Sequence, residues 1–273
     1  MTVFATPTPI TAALTTAGAR VRVTAGERAD TIVRVEPLDG TNRADVRVAE
    51  RTEVELTEGR LSVRTTKPGS RNGSVAITIE LPAGSRLELD TAWTDLRANG
   101  PLGDCDLSVS SGRVELDRVA ALRADLAAGD LVIGHVAGAA TLDGGAAGVC
   151  LAEVDGPIRY RASAGALRIG HARSAVDLTG ASGSFDIDHA DADVVARAGH
   201  CPIRIGRLTR GVADLANAAG GIEVGIDEHT AVTVKANSTK GNVRDTVTGT
   251  GPFTRHVELR ASTRRGDIVV RGA

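Results

Sequence analysis

The chain has 273 residues, 42% hydrophobic but only 2% aromatic, with a formal net charge of −2. No basic excess is present to drive phosphate binding, which argues against nucleic acid as a partner. No stretch approaches the roughly 18 apolar residues of a membrane span, and so few rings argue against one thick core, leaving many thin layers of Val, Leu, Ile and Ala.

In chain order, the lead Met1-Thr2-Val3-Phe4-Ala5-Thr6-Pro7 has no charged start and no sustained apolar run. It does not read as a signal peptide, so a cytoplasmic protein is expected. Apolar and polar residues then alternate at Val21 and Val23, Val33 and Val35, Val46 and Val48, Val54 and Leu56, Leu61 and Val63, and Val75, Ile77 and Ile79. Period-two alternation predicts strands. Glu58-Gly59 sits where a hairpin turn belongs. Arg71-Asn72-Gly73-Ser74 reads as an exposed loop. Residues 1–93 are therefore expected to form an irregular antiparallel β cap, since an open solenoid end must be covered. No long helix is expected.

From residue 94 the chain repeats. Thr94-Asp95-Leu96 is followed by Gly112-Arg113-Val114-Glu115-Leu116, Gly129-Asp130-Leu131-Val132-Ile133 and a weaker copy, Gly148-Val149-Cys150-Leu151-Ala152. Gly165-Ala166-Leu167-Arg168-Ile169 and Gly183-Ser184-Phe185-Asp186-Ile187 come next. His200 then stands in place of the glycine, before Gly221-Ile222-Glu223-Val224, Gly241-Asn242-Val243 and Gly266-Asp267-Ile268-Val269-Val270. Steps of 17 to 21 residues, with one of 25 at the end, define a repeat architecture. Each copy holds a second alternating segment: Leu122, Ala124 and Leu126; Ile158, Tyr160 and Ala162; Val176, Leu178 and Gly180. One coil thus has two short strands, and only stacking makes its core continuous. The fold class is all-β: a single-chain β-solenoid over residues 94–273, continuous with the cap over residues 1–93. Gly249-Thr250-Gly251-Pro252-Phe253 reads as a loop closing the far end.

Side chains alternate along a strand, so the middle residue of each triplet points outward. In successive coils that residue is Arg168, Asp186, Arg204 and Glu223. At about 4.8 Å between strands these form a column of alternating charge, which fixes the pairing register. Val132 and Leu151 take this position earlier, predicting a small apolar patch and a possible lateral dimer.

Three features resemble the DUF4097 family of β-strand repeat-containing, adhesin-like proteins. One is the lead Phe4-Ala5-Thr6-Pro7-Thr8-Pro9-Ile10. Another is the join Ile79-Glu80-Leu81-Pro82-Ala83-Gly84-Ser85 with Ala92-Trp93-Thr94-Asp95-Leu96. The third is the run of Gly-Asp-Leu-like coils ending in Arg265-Gly266-Asp267-Ile268-Val269-Val270. The resemblance spans nearly the whole chain. It implies a β-solenoid and an adhesin-like role, and it brings no reaction and no catalytic residues.

The candidate metal ligands are His171, His189 and Asp188. His135, His171 and His189 share one repeat position, six after the coil glycine, with Arg118 and Arg207 extending the column and Val154 interrupting it. On adjacent coils His171 and His189 could reach one metal ion; the competing reading is a polar corner residue multiplied by duplication. The run Asp186-Ile187-Asp188-His189-Ala190-Asp191-Ala192-Asp193 could offer oxygen ligands to Ca²⁺, or simply pair with Arg168 and Arg204. Cys105, Cys150 and Cys201 form neither a CxxC nor an even disulfide framework and read as reduced thiols. Ile-Gly pairs at 133, 169 and 205 return every 36 residues, not every six, so a hexapeptide acyltransferase is rejected. No GxSxG, HExxH, phosphate-loop or dinucleotide-binding motif is present.

The expected function is therefore a non-enzymatic interaction or scaffold protein, with no catalytic residue and no cofactor. Its partner would be another protein, a surface polymer or further copies of itself. The alternatives are a carbohydrate-active or metal-dependent enzyme using the Asp186–Asp193 and His171–His189 region, and a self-assembling filament.

Overall fold

The structure is a computed structural model that describes residues 1–65, 73–247 and 253–273. Arg71 and Asn72 of the expected loop, and Gly249 to Pro252 of the expected closing loop, lie outside the described residues. The fold is a β-solenoid of short parallel strands with antiparallel strands at its N-terminal cap. Two compact units, Met1–Ala137 and Gly138–Ala273, divide the chain.

In the N-terminal unit, strands Thr11–Thr16 and Ala19–Gly26 make one coil, and the long strand Arg86–Leu102 runs through both sheets to make another. Leu14 lies opposite Leu89, and Val21 opposite Leu96, all in parallel register. On the other side of the first coil, Leu14 faces Val63 and Val21 faces Ile77, again in parallel. The first coil in sequence is therefore sandwiched between the second and the third. Antiparallel pairing joins Thr2–Ala5 to Asp30–Pro37, Asp30–Pro37 to Val75–Pro82, and Glu53–Thr57 to Arg60–Arg64. Glu58 and Gly59, with φ of 50° and 76°, form the expected hairpin turn.

Val46 and Val48, expected in a strand, lie in a helix, Arg43–Glu50. Asn42 caps it by accepting the Ala44 N–H. Asp45, in its first turn, accepts the N–H groups of Asp39 and Ser74 at 3.0 and 2.8 Å. A capping residue followed by an acid is a helix start, and here it outweighs the two-residue spacing of the valines.

In the C-terminal unit the coils stack as expected. Tyr160 faces Leu178, Leu178 faces Ala196, and Ala196 faces Leu215 in one sheet. Leu167, Phe185, Ile203 and Ile222 form the matching row in the other. Each of these eight side chains is at most 2% exposed, and complete burial of a Leu, Ile, Val or Phe side chain is worth about 1.5–3 kcal/mol. Phe185 fills the space left by Gly180 and stands edge-on to Tyr160, with ring centroids 6.0 Å apart.

Three coil starts differ from expectation. Val149 pairs with Leu167, so Ala147, not Gly148, is the counterpart of Gly165. Leu151 then points inward at 0% exposure and Cys150 faces outward, which removes Leu151 from the proposed apolar patch. Ile203 pairs with Phe185, which places Cys201 rather than His200 at the glycine position. In the next coil that position belongs to Gly220, with φ of 120°, rather than Gly221. Runs such as Gly144-Gly145-Ala146-Ala147-Gly148 offer several residues small enough for the turn, so composition alone does not choose among them.

The last two coils also change places. Ile268 pairs with Ile222 on one side and with Val243 on the other. Strand Arg255–Thr263 likewise lies between Gly211–Ala219 and Thr230–Ser238. The final coil is thus inserted inside its predecessor. In each unit the coil nearest a chain terminus has hydrogen-bonded neighbours on both sides, which protects it from fraying.

Candidate functional site

Two surfaces carry unusual chemistry, one in each unit. In the C-terminal unit the outward column is in the expected register: Arg168 faces Asp186, Asp186 faces Arg204, and Arg204 faces Glu223. Arg204 reaches Asp186 at 2.6 Å and Asp188 at 3.2 Å, and Arg168 reaches Asp188 at 3.1 Å. Burial would raise the Asp188 carboxyl, but the two guanidinium partners hold it below its ordinary range. Asp188 is therefore committed to arginines and does not meet the histidines.

The corner column follows the strand ends. His171 faces His189 and His189 faces Arg207, while the residue opposite His171 in the preceding coil is Glu153, not Val154. Val154 points inward, a consequence of the one-residue offset at Ala147. The His171 and His189 rings stack, 4.4 Å between centroids and 13° between planes. Asp191, two residues past His189, completes the group. One of its oxygens lies 2.7 Å from His171 Nε2 and the other 3.1 Å from His189 Nε2.

The second Asp191 oxygen also accepts the Thr209 hydroxyl at 2.8 Å. The contact with His189 is at ion-pair distance without hydrogen-bond geometry, and His189 Nε2 is sealed from solvent with no hydrogen-bond partner. Burial pushes the His189 imidazole below its ordinary value; Asp191 opposes this, while His171 and Arg207 add to it. Asp191 is held below its ordinary value by hydrogen bonds from His171 and Thr209, against the effect of burial. An ionised Asp191 accepts, so His171 Nε2–H donates. One donor atom from each of His171, His189 and Asp191 falls within 4.8 Å of the others, a spacing able to hold a cation.

Sequence reading placed Asp191 in the acidic run of residues 186–193 and did not bring it to the histidines. The available signal was a spacing of 20 residues: Glu153 pairs with Arg173, His171 with Asp191, and Arg207 with Asp227. Each pair joins the corner of one coil to the corner of the next.

In the N-terminal unit a depression of about 430 Å³ opens on the outer sheet face, lined by Arg20, Arg22, Arg97 and Arg113 with Glu36, Asp95 and Glu115, and Asp95 lies directly opposite Arg20. Its floor is low because short Ala76 and Thr78 lie opposite Arg20 and Arg22. Arg22 also faces Arg97 directly on the next strand, a like-charge cross-strand pair. Glu115 is committed to Arg113 at 2.6 Å and Arg97 at 3.7 Å. Among the described residues, Arg20 and Arg22 have no carboxylate within 4.0 Å. A second groove shares Arg20 and adds Leu38 and Trp93, which are 44% and 59% exposed. Sequence reading missed this surface, because cap strands and coil strands far apart in sequence build it.

The three cysteines are free thiols; Cys105 and Cys201 are buried and Cys150 is half-buried. No helix of the described residues is long and apolar enough to cross a membrane.

The chain is similar in fold to solved structures. The crystal structure of a "putative adhesin" from Parabacteroides distasonis matches with a TM-score of 0.50 at 9% identity, covering 98% of this chain and 95% of that one. A protein of the same description from Parabacteroides merdae matches at 0.47 and 10% identity, over 97% and 94%. At these identities the likeness concerns fold alone. No family model matches the chain. No curated protein matches it either.

Proposed function

We propose that this chain is a non-enzymatic, adhesin-like β-solenoid of the DUF4097 kind whose N-terminal unit docks an acidic protein segment. The observation that carries the reading is the exposed Trp93 in one groove with Arg20, next to a depression that Arg20 shares with Arg22, neither guanidinium having a carboxylate within 4.0 Å among the described residues. Trp and Arg are the residues most enriched in the energetic centres of protein interfaces. Arg also grips carboxylates through paired N–H donors. The like-charge pair Arg22–Arg97 is unfavourable in the free protein and relieved by an incoming carboxylate. Three free thiols fit a reducing, cytoplasmic setting.

Trp93 is the chain's single tryptophan, so its emission reports on this groove. Titration with a Glu-rich peptide is expected to shift Trp93 emission and to weaken as salt is raised. Arg22→Ala should loosen that binding about 10-fold, the range for one charged hydrogen bond. A response to an acidic polysaccharide but not to the peptide would replace the protein partner by a surface polymer. No response to either would remove the docking site.

A further inference from the structure

We infer that His171, His189 and Asp191 form a site for one divalent cation of the Zn²⁺ type, joining two neighbouring coils of the C-terminal unit. The inference goes beyond the docking reading and stands on different residues.

The first support is an interruption in the corner pairing. Glu153 and Arg207 each find an oppositely charged partner 20 residues on, Arg173 and Asp227. His171 finds Asp191 in the same way. The residue 20 positions after His189 is Thr209, and its hydroxyl goes to Asp191 instead. His189 Nε2 is left without a hydrogen bond and without solvent, 3.1 Å from an Asp191 oxygen. It faces the one carboxylate the cluster contains.

The second support is donor chemistry. Two imidazole nitrogens and one carboxylate oxygen suit Zn²⁺ and its late-row neighbours. Ca²⁺ and Mg²⁺ prefer all-oxygen sets. With metal–nitrogen bonds of about 2.0–2.1 Å, tetrahedral donors sit roughly 3.3 Å apart. Here one Asp191 oxygen lies 2.7 Å from His171 Nε2 and the other 3.1 Å from His189 Nε2, and one donor atom of each residue lies within 4.8 Å of the others, so the three side chains must rotate to converge on an ion.

The third support is local charge. Arg173 and Arg207 flank the histidines and would repel a cation if free. Arg173 is engaged by Glu153 and Asp155, and Arg207 by Asp227. Ion entry moves the Nε2 proton of a neutral His171 ring to Nδ1, or releases it to solvent from a charged ring that keeps its Nδ1 proton, so both imidazoles bind as neutral ligands. The His171, His189 and Asp191 side chains are 29%, 31% and 28% exposed although His189 Nε2 itself is sealed, so the rotations that admit the ion must also open Nε2 to it.

The test uses the full chain, stripped with a chelator, dialysed and titrated with Zn²⁺ by calorimetry. One ion per chain is expected, and thermal unfolding should move to higher temperature as Zn²⁺ is raised. His189→Ala, His189→Gln and His171→Ala should each weaken binding at least about 10-fold, while His135→Ala and Cys150→Ser leave it unchanged. His189→Gln keeps the bulk of the side chain in case the alanine variant fails to fold. On the unaltered chain, ¹⁵N spectra should show two imidazole Nε2 signals moving on Zn²⁺ addition. Binding of equal strength in His189→Gln, loss of binding in Cys150→Ser, or unmoved histidine signals would overturn the assignment.

Discussion

Replacing Gly183 by Ala tests the stacking argument at its tightest point. Gly183 has φ of 117°, outside the range an L side chain adopts readily. A Cβ there would fall on the carbonyl oxygen of Gly165, in the coil below, and lie 2.7 and 2.8 Å from that residue's carbonyl carbon and nitrogen. All three obstacles are backbone, so no rotamer change relieves the clash; the coils must separate locally. Backbone strain of this kind costs about 1–3 kcal/mol. Overpacking adds about 1–3 kcal/mol. Together the expected loss is about 2–6 kcal/mol, read from the shift in urea midpoint at constant slope by circular dichroism. Gly40→Ala is the control, because a Cβ there meets nothing within 4 Å. A loss below about 1 kcal/mol for Gly183→Ala would show that coil spacing is not set by glycine contact, and the same reasoning at Gly112 and Gly129 would fall with it.

Asp227 is 4% exposed, accepts the His229 N–H at 3.0 Å and holds Arg207 at 2.5 Å. Burial would raise its pKa, but the His229 N–H and Arg207 lower it below the ordinary 3.8. A depressed carboxyl contributes stability that is present above its unfolded value and lost as pH falls through its folded value. Asp227→Ala should therefore cost about 2–3 kcal/mol at pH 7, with the gap from the unaltered chain closing below about pH 4; a gap independent of pH would refute the pairing. The thiols should divide by exposure. Burial pushes Cys105 up to about 12 and also raises Cys201, so a thiol reagent should label Cys150 alone in the folded chain and all three in denaturant. Labelling of Cys105 without unfolding would contradict its burial.

The interior of the solenoid was readable because two periodicities coincide there. Alternation named the inward residues, and positive-φ glycines at 112, 129, 165, 183 and 266 marked the turns. Where both signals were present, as from Tyr160 to Ile187, the pairing agrees residue by residue. Where small residues cluster, as before Cys150, the turn slipped by one and carried Leu151 and Val154 to the opposite face. The exchanged order of the end coils left no mark, because a parallel strand has the same pattern beside any neighbour. The metal-ligand candidates were half readable. His171 and His189 could be paired by period, whereas Asp191 belongs to the turn, outside the alternation.

The corner pairs suggest why a turn residue completes that cluster. In a solenoid the strand positions are fixed by the ladder, so a residue and its neighbour one coil away always meet like with like in geometry. The turn has no such constraint, and a side chain there can lean across to the coil before. Arg207–Asp227 and Glu153–Arg173 use that freedom to neutralise charge. At His189 the same turn position supplies a hydroxyl, and Asp191 must serve both imidazoles. Thr209, standing where Asp227 stands for Arg207, leaves His189 without the acidic partner that the neighbouring corner has. Replacing Thr209 by Asp should restore the missing partner of His189. It should raise the His189 pKa, measured by NMR titration, because a second carboxylate favours the charged ring. An unchanged titration would mean that residue 209 does not reach His189, and that the spacing of 20 residues is not the rule that builds these corners.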